Sequence, residues 1–260
     1  MTPLFLPGLK VLLINLERSA PRRQAMEARL REIGLAYEIQ PAIDGAAHFA
    51  DIIREVDQQA FVRNVGRPLL PGEIGCYLSH LAAWHRALDS GAEVLLVLED
   101  DVVFHPDFVD ALKLALAHQD DWDLLKLNKI RAKQPLRQKA LGPYALNAYV
   151  GPATGLGAYL IRRGTIAKLL PVMKPITRPI DHELDRIHVH DFRHFGLEPF
   201  PSHVDDGNIS TITGSAFSAV RKFRWYQRLP LYGLRLSNLC GKILYLHETR
   251  RLYSGLRRKE

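Results

Sequence analysis

The chain has 260 residues, of which 47% are hydrophobic, 24% charged and 8% aromatic, a balance that builds a buried core and excludes fibrous, collagen-like and wholly disordered classes. Its formal charge of +7 is concentrated at one end: residues 221–260 hold 11 basic and 2 acidic side chains, and the preceding 220 are nearly neutral. Two distant cysteines, Cys76 and Cys240, match neither a disulfide framework nor a paired metal spacing, and no signal-peptide pattern or apolar run of membrane length is found, so the expectation is a cytoplasmic chain that is neither exported nor transmembrane.

The run from Lys10 to Leu16 is continuously apolar up to Asn15, the pattern of a strand buried on both faces of a parallel sheet. Ser19 then stands as an N-cap, with Pro21 in the first turn, Met26, Leu30 and Ile33 on the buried face and Gly34 as the stop of a helix. Tyr37 to Gln40 reads as a second strand, followed by the turn Ala42-Ile43-Asp44-Gly45. Ile74, Leu78, Leu81 and Leu88 place a helix over 72–90, which Gly91 ends. Glu93 to Leu98 is the strongest strand and runs straight into Glu99-Asp100-Asp101. A helix near 107–118, a strand over 122–127 and a long polar loop over 128–147, lid-like by its length, come next. A strand over 155–161 and a helix through Ile166, Leu169 and Leu170 complete an alternation that predicts one α/β domain.

Ligands of open parallel sheets bind outside the carboxyl ends of the strands, and three adjacent carboxylates lie at that end of the most buried strand. Their mutual repulsion calls for a cation, and oxygen-only ligands suit Mg²⁺ or Mn²⁺ shared with phosphate oxygens, as in a nucleotide diphosphate. The alternative is a solvated acidic turn, disfavoured because apolar Val102-Val103-Phe104 follows at once.

Several segments together resemble glycosyltransferase family 25: Ile14-Asn15-Leu16-Glu17-Arg18 with Arg22-Arg23, Ala42-Ile43-Asp44-Gly45, the block from Gly72 to Trp84, Val97 to Val102, Leu125-Lys126-Leu127, Thr154 to Ile161, and Pro179-Ile180-Asp181-His182. The resemblance spans about residues 10–212 in the right order. It implies a GT-A-like, Rossmann-type nucleotide-sugar domain over residues 1–220, using a divalent metal and a UDP-sugar. It also implies transfer of galactose or glucose to a lipooligosaccharide or lipopolysaccharide core, with UDP-galactose the favoured donor. Carried onto this sequence, Glu99-Asp100-Asp101 stands for the family's Asp-x-Asp-like metal motif, with Asp101 as first choice of direct ligand and Glu99 where the family has aspartate.

Inverting transfer needs a carboxylate on the acceptor side to take a proton. Asp181 is the candidate, against the alternative that it caps a helix. Asn15, Arg18, Asp44 and Gly45 follow the first two strands, where a uridine and its ribose would bind, or else form Asx turns. His80 and Trp84 share a helix face and either approach the donor or pack internally. Lys126 ends a strand and would meet the diphosphate unless it is a surface lysine. His182, His190 and His203 are candidates for a third metal ligand, with His203 preferred.

In the basic segment 221–260, Tyr232, Leu236, Leu239, Ile243 and Leu246 recur at four- and three-residue steps. Arg235, Lys242, Arg250, Arg251, Arg257, Arg258 and Lys259 surround them, a basic amphipathic helix suited to an anionic membrane surface. That places the enzyme peripherally on the inner face of the cytoplasmic membrane, with a lipid-linked oligosaccharide as acceptor. The alternative is packing of the apolar face onto the body. Competing functions are a metal-dependent phosphohydrolase or nucleotidyltransferase and, last, a nucleic-acid-binding tail; no nucleic-acid partner is expected.

Overall fold

The computed structural model describes residues 4–205 and 223–252. The apolar run forms β1 (Leu9–Asn15), buried along almost its whole length. It leads into α1 (Ala20–Glu32), which buries Met26 and Leu30; Ser19 precedes it but makes no side-chain cap. After β2 (Glu38–Pro41) the chain forms two helices that the sequence pattern does not announce, α2 (Phe49–Ile52) and α3 (Gln58–Val65). The longest buried helix, α4 (Pro71–Ser90), ends at left-handed Gly91 as expected. β3 (Val94–Glu99), β4 (Val102–Phe104), α5 (Phe108–Ala117) and β5 (Leu124–Lys126) follow.

Residues 128–147 are not a loop. They contain β6 (Arg131–Ala132) and the hairpin of β7 (Pro135–Leu141) with β8 (Tyr144–Tyr149). β7 lies at the edge of the sheet, and an edge strand carries charged side chains that block pairing with other chains, which is why Arg137 and Lys139 give this stretch the look of a loop. β9 (Ala153–Thr154), β10 (Ala158–Arg162), α6 (Arg163–Leu169), α7 (Ile180–Leu184), α8 (Ile187–His190), β11 (His194–Glu198) and β12 (Ser202–Val204) complete the body.

The main sheet has eight strands in the order β2-β1-β3-β10-β5-β11-β8-β7. β1 is parallel to β2 and β3, as the sequence predicts, but β10 runs antiparallel to both β3 and β5, so the sheet is mixed. A parallel neighbour needs a crossover, usually a helix. Only strands lie between β5 and β10, and β10 returns antiparallel. Beside the sheet, β4 pairs with β12 and β6 with β9.

The basic segment contributes α9 (Leu229–Glu248), packed against α3 and α8. It buries Leu231, Lys242, Tyr245 and Leu246 and leaves Leu229, Tyr232, Leu236, Leu239 and Ile243 exposed. Two expectations change here. Leu246 belongs to the core, and Lys242 is no surface charge: its Nζ donates to Asp185 Oδ1 and to Gly151 O, each at 2.8 Å. Arg257, Arg258, Lys259 and the boundary at 220–221 lie outside the described residues.

Candidate active site

The carboxyl end of β3 holds the carboxylates. In the register of β1 against β3, Ile14 lies opposite Glu99, which sets the next residue of β1, Asn15, beside the turn that follows. Asn15 Nδ2 donates to Asp100 Oδ2 at 2.6 Å. From the first turns of α1, Arg22 reaches Asp100 Oδ1 and Asp101 Oδ2, both at 2.7 Å. The sequence marks Arg22 only as part of a family-like segment; its pairing with both aspartates comes from the fold.

Burial and the neighbouring Glu99 push the Asp101 carboxyl up to about 7, against the pull of Arg22. Asp100 is also raised by burial, with Arg22 and Asn15 opposing. Asp101 Oδ1 is buried and has no hydrogen-bond partner. A buried, unpaired carboxylate oxygen is costly. One oxygen-only acidic pair with an orphaned, inward oxygen is a donor set that fits a hard divalent cation, and Asp100 and Asp101 are the residues that would hold it.

Glu99, close enough to Asp101 to raise its carboxyl, also meets α4. Its Oε1 is 3.2 Å from His80 Nε2, whose ring Nδ1 is 3.0 Å from the Tyr159 hydroxyl. Trp84 Nε1 donates to the same hydroxyl at 2.9 Å. His80, Trp84 and Tyr159 are buried, so His80 and Trp84 form the packed, hydrogen-bonded pair that was the alternative to donor contact. Cys76, one turn before His80, completes this face of α4. Burial pushes its thiol up, and Glu99, Asp181, Glu73 and Asp101 add to the shift.

The adjoining flank of α4 explains the Gly72–Trp84 block. A Cβ on Gly75 would lie 2.4 Å from Ile43 O, and one on Gly45 1.9 Å from Pro71 O. The helix therefore lies directly on the Ile43–Gly45 turn, and Ser79 Oγ accepts from Ile43 N at 2.8 Å while donating to Gly75 O at 2.6 Å. Gly45 is thus accounted for by close backbone packing. Asp44 forms the Asx turn, accepting from Ala46 N and Ala47 N, and pairs with Arg18. Burial opposes ionisation of Asp44, but Arg18 and the two amides hold its carboxyl below the usual range. Leu16, Glu17, Arg18, Ala42, Asp44, Ala47 and His48 line a cleft of about 400 Å³ at this point, beyond the ends of β1 and β2.

Asp181 sits in the first turn of α7 rather than at its N-cap, which is Pro179. Its Oδ2 accepts from Gly155 N at 3.0 Å and its Oδ1 from His182 N at 2.9 Å. Lys126 is neither exposed nor at the surface. It is completely buried, donates to Thr154 O at 2.6 Å, and is pushed by burial down to about 7. His203 Nδ1 faces His105 Nε2 at 2.9 Å, and among the described residues it joins no group of three metal-ligand side chains. His190 is taken up by Glu183 at 2.7 Å.

A sequence model described as glycosyltransferase family 25 (LPS biosynthesis protein) matches residues 9–184, from β1 through the carboxylates to Asp181. The chain belongs to glycosyltransferase family 25. This family 25 chain is 31% identical over 229 residues to procollagen galactosyltransferase 1 of Danio rerio, covering 77% of the chain and 38% of that protein. It is 30% identical over 220 residues to procollagen galactosyltransferase 2 of Mus musculus, covering 75% and 35%. A third relative, 31% identical over 185 residues and covering 67% and 31%, is inactive glycosyltransferase 25 family member 3 of Homo sapiens. The chain spans about a third of the length of these curated relatives, and one of them is inactive by name.

Proposed function

We propose that this chain is a metal-dependent, inverting glycosyltransferase of GT-A-like fold that moves a hexose, galactose by preference, from a UDP-sugar to a lipooligosaccharide or lipopolysaccharide acceptor. The observation that carries the reading is the carboxylate pair Asp100 and Asp101, held by Arg22 and Asn15 at the end of β3 with the buried Asp101 Oδ1 unpaired. The names of the galactosyltransferase relatives support the sugar, and the family description supports the acceptor.

Asp100 and Asp101 would hold Mn²⁺ or Mg²⁺, which when bound would stabilise the negative charge of the departing diphosphate. The cleft beside Arg18 and Asp44 receives the nucleoside, Asn15 fixing the orientation of Asp100 next to it. Asp181 takes the proton of the acceptor hydroxyl. Its two backbone hydrogen bonds fix the carboxylate and leave lone pairs on both oxygens, as a general base requires.

The exposed row Leu229, Tyr232, Leu236, Leu239 and Ile243, within a segment rich in basic residues, supports attachment to the anionic inner face of the cytoplasmic membrane, where a lipid-linked acceptor resides. No helix among the described residues is long and apolar enough to cross a membrane.

Purified protein with Mn²⁺ and a panel of UDP-sugars, UDP-galactose first, tests the reaction. UDP released in proportion to glycosylated acceptor supports it, and Asp101→Ala should abolish that release in a folded protein. Phosphate or pyrophosphate release without sugar transfer would instead select a phosphohydrolase or nucleotidyltransferase.

A further inference from the structure

Cys76 and His80 lie one helical turn apart on α4 and face Glu99 at the end of β3. The Cys76 Sγ, a ring nitrogen of His80 and a carboxylate oxygen of Glu99 all lie within 4.8 Å of one another. We propose that these three side chains form a site for one thiophilic divalent ion of the zinc class, distinct from the hard-cation site at Asp100 and Asp101.

The donor types separate the two sites. Thiolate and imidazole select zinc-like ions, whereas an oxygen-only set selects Mn²⁺ or Mg²⁺. Their side-chain partners differ as well: Asp100 and Asp101 meet Arg22, and Glu99 meets His80, so the two sites are neighbours with different donor sets. Three protein ligands leave a fourth tetrahedral position for water or a ligand atom.

In one of the two tautomers of His80 the surroundings have the form that a ligating histidine needs. A metal-bound imidazole gives its other ring N–H to a fixed acceptor. The Tyr159 oxygen lies 3.0 Å from His80 Nδ1, and Trp84 holds that oxygen in place at 2.9 Å. With Nδ1 protonated toward Tyr159, Nε2 presents its lone pair to the space shared with Glu99 and Cys76. On coordination the Cys76 thiol passes its proton to solvent and binds as thiolate.

Co²⁺ titration of the full-length protein tests the site without reference to sugar transfer. A thiolate-to-cobalt charge-transfer band in the near ultraviolet should appear and saturate at one thiolate-bound Co²⁺ per chain, any Co²⁺ at Asp100 and Asp101 adding none to it, and Zn²⁺ should displace the band. Cys240→Ser, which changes the other cysteine, should leave the band intact, and Cys76→Ser should remove it. Tyr159→Phe should weaken binding by about 10- to 100-fold, as loss of an outer-shell partner does. X-ray absorption of the zinc-loaded wild-type protein should show one sulfur in the shell, a measurement that stands even if the Cys76 variant does not fold. A wild-type protein with no thiolate band, a zinc shell of nitrogen and oxygen only, or a band that survives Cys76→Ser would overturn the proposal. Failure of sugar transfer alongside an intact band would count against the proposed reaction and leave this site standing.

Discussion

Lys242 Nζ lies 2.8 Å from Asp185 Oδ1, and both residues are buried between α9 and the body. The same carboxylate oxygen accepts from Ala153 N at 3.0 Å, and the next residues of that strand run to Gly155, whose N–H holds Asp181. The basic C-terminal helix is therefore tied to the segment that positions the candidate base. Lys242→Met strands a buried carboxylate and should cost about 3–5 kcal/mol of stability, read from urea unfolding. Adding Asp185→Asn, which keeps the acceptor for Ala153 N–H and removes the charge, should restore much of that loss.

Arg22 is the partner of both metal-motif aspartates. Without added metal, Arg22→Gln leaves Asp100 and Asp101 facing each other and should lower stability by about 3 kcal/mol. Mn²⁺ should then raise the melting temperature of Arg22→Gln by more than that of the wild type. An equal Mn²⁺ response in the two proteins would argue that the ion binds elsewhere.

Lys126 carries a pH signature. Its ammonium is pushed down to about 7 in the folded protein, while the unfolded chain holds that proton up to about 10.4. Between these values unfolding takes up a proton, so stability rises with pH by up to about 1.4 kcal/mol per unit, and below pH 7 the penalty is constant. Lys126→Met lacks the penalty. Its stability advantage over wild type should be largest at pH 6 and shrink steadily toward pH 9 in urea titrations.

Asp181→Asn keeps an acceptor for only one of the two N–H groups that Asp181 now receives, from Gly155 and His182, and removes the basic carboxylate. UDP affinity should be unchanged and kcat should fall by about 10²- to 10⁴-fold, the range for loss of a positioned base. Turnover near that of the wild type would make Asp181 a positioning residue.

Leu236 is 62% exposed on the outward face of α9, away from Lys242 and Tyr245. Leu236→Asp should leave the melting temperature unchanged and reduce binding to vesicles containing anionic lipid by about tenfold, through lost apolar insertion and added repulsion. High salt should weaken wild-type binding. Equal vesicle binding by the two proteins, or wild-type binding to duplex DNA of the same strength and salt sensitivity, would remove the membrane role.

What the sequence reveals of this molecule is local. The apolar run Val94–Leu98 ending in three carboxylates, and the helix over Pro71–Ser90, are legible because periodicity and adjacency are properties of neighbours along the chain. The direction of β10 is not, because strand orientation depends on what intervenes and not on the strand. Nor are the partners of Asp101, Lys126 and Lys242, which come from segments 28 or more residues away: Arg22, Thr154 and Asp185. Lysine and arginine read as surface charge in a sequence, and here Lys126 and Lys242 are interior. The opposite error falls on α9, where the regular stripe from Tyr232 to Ile243 has the spacing of a packing face yet stays exposed, while Leu231, Lys242 and Tyr245 make the contact.

The absent side chains of Gly45 and Gly75 leave no gap between α4 and the Ile43–Gly45 turn. The wall of the cleft proposed for the nucleoside and the helix face that carries Cys76 and His80 are therefore cut from one rigid block. A substitution that widens the cleft for a larger base by shifting this turn must displace α4, and with it the hydrogen bond that aims Glu99. If the cleft takes the nucleotide as proposed, its selectivity and the geometry of the acidic turn are inseparable by mutation on this side. Redesign of donor choice should instead start from Arg18 and His48, whose side chains line the same space from outside that block.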